Sequence, residues 1–91
     1  MIDNFCFDCA RKHLGRANVR LYEFLSGDYA EEFWHAVGEM SLAEDHLILV
    51  HPKLSRMIRK ERLQMMEEDN YYPDLNKLIS EITKIAIKEA E

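Results

Sequence analysis

The sequence predicts an all-α fold: a compact helical bundle of about four helices. Apolar residues recur at spacings of three and four along four segments. Only three Gly and two Pro occur in 91 residues, too little turn material for a β-rich chain. Hydrophobic residues at 47% and charged residues at 32% give a globular rather than a disordered composition.

The first helix is expected from about Phe7 to Leu25, with Phe7, Ala10, Leu14, Ala17, Leu21 and Phe24/Leu25 as its apolar stripe. Asp3 or Asp8 suits its N-terminus, and Gly27 suits a left-handed C-cap. The second runs from about Tyr29 to Leu49, with Asp28 as N-cap, Glu31 and Glu32 in the first turn, and Phe33, Ala36/Val37, Met40, Ala43 and Leu47 inward. The third begins at Pro52, favourable at a first helical position, carries Leu54, Met57/Ile58, Met65 and Met66, and ends near Glu68-Asp69-Asn70. Tyr71-Tyr72-Pro73-Asp74 connects it to the fourth, about Asp74 to Ala90, striped by Leu75, Leu78/Ile79, Ile82 and Ile85/Ala86. Short connections at Gly27 and Pro52 favour antiparallel neighbours. Residues 1–91 are read as one domain, small enough that a metal ion or a second subunit would supplement its core.

The start, Met1-Ile2-Asp3-Asn4, lacks a basic region followed by an apolar one, and no apolar run approaches about 20 residues. A cytoplasmic location without membrane association is therefore expected, where a cysteine pair more often binds metal or does redox work than forms a structural disulfide.

Cys6-x-x-Cys9-x-x-x-His13 has metal-ligand spacing. Two intervening residues let both thiolates reach one ion, and His13 lies one helical turn after Cys9. In an antiparallel hairpin folded about Gly27–Asp28, facing positions sum to about 55, which sets Cys9 opposite His46. The expected set is Cys6, Cys9, His13 and His46, holding a structural zinc that ties the start of helix 1 to the end of helix 2. Glu44, Asp45 and His51 are alternatives for the fourth position or partners for the ring of His13. Two reduced core cysteines, or a redox dithiol, are the competing readings. The redox reading lacks the βαβ context it needs, and haem attachment needs His where Ala10 stands.

The net charge is −5, yet Arg11, Lys12, Arg16 and Arg20 fall in one window and Lys53, Arg56, Arg59, Lys60 and Arg62 in another. Overall acidity argues against non-specific coating of DNA. Lys12, Arg16, Arg20, Arg56 and Arg59 are candidates for a small phosphate-bearing ligand, since guanidinium groups donate paired hydrogen bonds. Solvated helix faces are the plainer reading. If the row on helix 1 points inward, Glu39 neutralises Arg16; if outward, a cationic stripe remains. Phe33-Trp34-His35 cannot all face one core, so Trp34 or His35 is expected to face helix 3 or another chain, and Tyr71-Tyr72 is a candidate contact. No nucleophile elbow, phosphate-binding Gly loop or HExxH occurs, so an enzyme is not the favoured reading.

Cys6-Phe7-Asp8-Cys9-Ala10-Arg11-Lys12-His13-Leu14, followed by Trp34-His35-Ala36-Val37-Gly38 and Ala43-Glu44-Asp45-His46, resembles a family of short uncharacterised phage and prophage proteins. The resemblance implies an origin on a mobile element and an accessory role in the host cytoplasm, not a mechanism. The expected function is a non-enzymatic, zinc-stabilised helical binding module, homo-oligomeric, whose ligand is a host protein or a small anionic molecule such as a nucleotide. The alternatives are a nucleic-acid-binding accessory protein and a metal-dependent hydrolase built on Glu44, Asp45, His46 and His51.

Overall fold

In the computed structural model the chain forms α1 (Phe5–Leu25), α2 (Glu31–Leu47), α3 (Pro52–Glu67) and α4 (Leu75–Ala90). The structure describes residues 5–27 and 30–90, and no strand occurs among them. The expected caps at Asp3 and Asp28 lie outside the described residues. Asp8 sits in the first turn of α1, where a carboxylate favours the helix N-terminus, and pairs with Arg11 one turn on.

Gly27 closes α1 with φ 117°, the left-handed conformation that costs a glycine little, while the Ser26 and Gly27 amides bond back to Tyr22 and Phe24. α2 packs against both α1 and α3, and α4 packs against α1. The molecule measures 44 × 20 × 18 Å. α2 ends at Leu47, slightly before the expected Leu49. Ile48 to Val50 form turns, and His51 caps α3 by accepting the Leu54 amide at Nδ1 (3.3 Å), with Pro52 at the start of the helix.

One hydrophobic cluster unites the four helices. Phe7 and Leu14 of α1, Met40 and Leu47 of α2, Leu54 and Ile58 of α3, and Leu75 and Ile82 of α4 are its largest fully buried side chains. Ala10, Ala17, Ala36 and Ala43 are also fully buried, and such small residues permit close helix approach. Burial on this scale, at about 25 cal/mol per Å² of apolar surface, is the main force holding the bundle. The connector after α3 turns through Asn70 at φ 64°, a left-handed conformation that asparagine tolerates better than most residues. Pro73 is buried, and Asp74 accepts the Lys77 amide (3.1 Å) at the start of α4.

Candidate functional site

Cys6, Cys9 and His13 repeat at three and four residues, and α1 is helical throughout, so they share one face. All three are partly buried. The α1–α2 hairpin then sets the His13 ring against that of His46, with centroids 5.4 Å apart and an 18° interplanar angle. Nδ1 of His13 lies 2.6 Å from Oε2 of Glu39. A carboxylate only accepts, so Nδ1 carries the proton that bridges to Glu39, and in the neutral ring Nε2 then holds the lone pair. That is the orientation in which a carboxylate partner prepares a histidine to bind a metal ion.

Both cysteines are free thiols. Among the described residues no three His, Cys, Asp or Glu side chains converge as they stand to hold an ion.

Of the alternatives Glu44, Asp45 and His51, the first and last have other partners. Glu44 is buried and receives both Nε and Nη2 of Arg62, the latter at 3.3 Å, while its backbone carbonyl accepts Ser55 Oγ at 3.0 Å. The hydrogen bond to Glu44, the larger influence, raises the Arg62 guanidinium above its ordinary range against the opposing effect of burial. His51 caps α3, lies edge-on to Phe7 and has Nε2 4.0 Å from Glu89. Asp45 is exposed and lines a groove between α2 and α3.

The basic residues divide between two grooves. Lys12, Arg16 and Arg20 line a shallow groove along α1 with Gly15, Val19 and Glu23. Arg56, Arg59 and Arg62 line the α2–α3 groove, about 320 Å³, with Ser41, Glu44 and Asp45. Arg16 is exposed, and Glu39 pairs with His13, so the inward arrangement with an Arg16–Glu39 bridge does not form. Arg20 is held by Glu32 (3.1 Å) and lies 3.8 Å from Glu23. Burial acts to raise the Glu32 carboxyl, but the hydrogen bond and charge of Arg20, with smaller help from Glu23 and His35, hold it below its ordinary value. Lys12, Arg16, Arg56 and Arg59 make no ion pair among the described residues.

The role of Glu39 as partner of His13 was not anticipated, although a signal for it exists. Glu39, Ala43 and His46 repeat at four and three on α2, so the face that presents His46 to α1 also presents Glu39. Comparison of the chain with family models, with characterised proteins and with solved structures gave no match.

Proposed function

We propose that the chain is a non-enzymatic helical binding module of a phage or related mobile element, stapled by a zinc ion at Cys6, Cys9, His13 and His46. The observation that carries the zinc reading is the meeting of His13 and His46 across α1–α2, with Glu39 on Nδ1 of His13 and Cys9 one turn away on the same face. Four protein ligands leave no open coordination position, which makes a structural ion rather than a catalytic one. The ion would join the start of α1 to the end of α2 in a domain with a modest core.

The binding surface favoured for a small anion is the α2–α3 groove. Arg62 is committed to Glu44, while Arg56 and Arg59, three residues apart, have no acidic partner among the described residues. They suit a nucleotide or similar phosphate compound. The sequence offers Lys12, Arg16 and Arg20 of α1 beside Arg56 and Arg59 of α3 for such a ligand. The Arg20–Glu32 pair and the separate grooves favour α3 alone. Self-association is proposed through Leu42, Ile48, Leu49 and Val50, all exposed and with Leu49 at 91%.

Elemental analysis of protein purified without added metal tests the staple. About one zinc per chain is expected for a single closed site. Zinc-free protein with the same helicity and melting temperature as zinc-loaded protein rejects it, without bearing on the anion groove.

A further inference from the structure

A further groove, about 520 Å³, lies where the end of α1, the start of α2 and the connector after α3 meet. Phe24, Phe33, Trp34, Tyr71 and Tyr72 line it, with Met65 and Met66. Four of the rings form a connected set: Phe24 lies 5.4 Å from Phe33 and 6.2 Å from Tyr72, and Phe33 meets Trp34 edge-on at 5.1 Å. Trp34 is 60% exposed, an unusual state for the largest side chain of the molecule.

The polar part of the lining is one-sided. Glu68 and Asp69 stand at the rim, and no Lys or Arg lines the groove. Glu68 terminates α3, so the partial negative charge of that helix end adds to the two carboxylates. The opposing positive end of α2 already has Glu31 and Glu32 in its first turn. Aromatic faces bordered by negative charge attract a desolvated cation.

We propose that this groove is a docking site for a basic side chain, arginine or lysine, on an exposed segment of a partner protein. Charge complementarity selects that occupant. An acidic segment would meet Glu68 and Asp69, and a purely apolar one would leave their carboxylates shielded without a counter-charge. The cation rests over an aromatic face, with the rim carboxylates closing on it from the connector. The site shares no lining residue with the α2–α3 groove and does not depend on the zinc reading.

Trp34 is the single tryptophan of the chain, so its emission reports directly on this groove. Titration with a short unstructured peptide carrying arginine beside leucine is expected to give a saturable change, with dissociation on the order of hundreds of micromolar at low salt. Lysine is expected to replace arginine, and glutamate to abolish the change. The combined Glu68→Gln and Asp69→Asn variant is expected to bind at least about fivefold more weakly with unaltered circular dichroism, and about 0.5 M salt to weaken the parent similarly. Tyr72→Leu, which keeps apolar volume but removes a ring face, is also expected to weaken binding. No saturable response to either basic peptide up to millimolar concentration, equal response to the glutamate peptide, or undiminished binding by the carboxylate variant overturns the proposal. Emission that changes with protein concentration alone assigns the groove to a second copy of the chain and overturns it as well.

Discussion

Glu44 of α2 and Arg62 of α3 form a two-pronged pair at the edge of the core, with side chains only 9% and 18% exposed. Arg62→Ala leaves a buried carboxylate without its counter-ion and is expected to cost about 2–3 kcal/mol in urea unfolding. Replacing both partners, Glu44→Gln with Arg62→Met, is expected to cost less than the sum of the single changes, because no charge is stranded. Strict additivity would mean that the pair is solvated.

The zinc staple predicts an order of stabilities. Cys9→Ser removes a ligand and loosens the α1–α2 junction, whereas Tyr72→Ala removes packing on Phe24 at the far end of the hairpin. Thermal melts of zinc-loaded protein are expected to place Cys9→Ser below Tyr72→Ala. A Cys9→Ser variant that melts with the parent contradicts the staple.

Two pH dependences follow from the surroundings of Glu32 and Tyr71. The Glu32 carboxyl is held below its ordinary 4.5 in the folded chain. Its contribution is therefore present above that value and is lost as pH falls through the lower folded-state value. Urea midpoints measured from about pH 6 to about pH 3 are expected to fall, and less steeply in Arg20→Ala. The Tyr71 hydroxyl donates to Glu61, and that hydrogen bond, the largest cause, raises it above 10.0. Its contribution holds below that value and is lost as pH rises through the higher folded-state value, a loss that Glu61→Gln is expected to reduce.

Calorimetry against mono-, di- and cyclic nucleotides at moderate salt tests the α2–α3 groove. A bound phosphate compound is expected to lose at least about tenfold in affinity on combined Arg56→Ala and Arg59→Ala substitution, and to be little affected by Arg16→Ala with Arg20→Ala. The reverse pattern transfers the site to α1. No binding across the panel leaves a protein partner as the better reading.

Ile48, Leu49 and Val50 form an exposed apolar run after α2, and Leu42 is exposed on α2 itself. Light scattering at high micromolar concentration is expected to give a dimer mass, since two-fold association is the commonest closed arrangement. Leu49→Glu is expected to return a monomer with its helicity intact. A monomeric parent rejects this interface.

The sequence by itself determined the four helices and nearly all of their inward faces. The three-and-four spacing of residues such as Phe7, Leu14, Leu47, Ile58 and Ile82 is itself the burial pattern, and Gly27 and Pro52 are local signals that act without distant partners. The antiparallel register about Gly27 was also legible: Phe24 meets Phe33, Arg20 meets Glu32 and His13 meets His46, pairs scattered around the expected sum of 55. What only the tertiary structure decided is which of several eligible charges meet. Glu39 was available to Arg16 or His13, and Glu44 to a metal ion or an arginine. Those choices depend on side-chain direction around each helix and on where α3 lies against α2, differences of a fraction of a turn that a spacing rule does not resolve. The aromatic groove belongs with them. Phe24, Trp34 and Tyr72 are far apart in the chain, and only the meeting of three chain segments gathers their rings into one groove with Glu68 and Asp69.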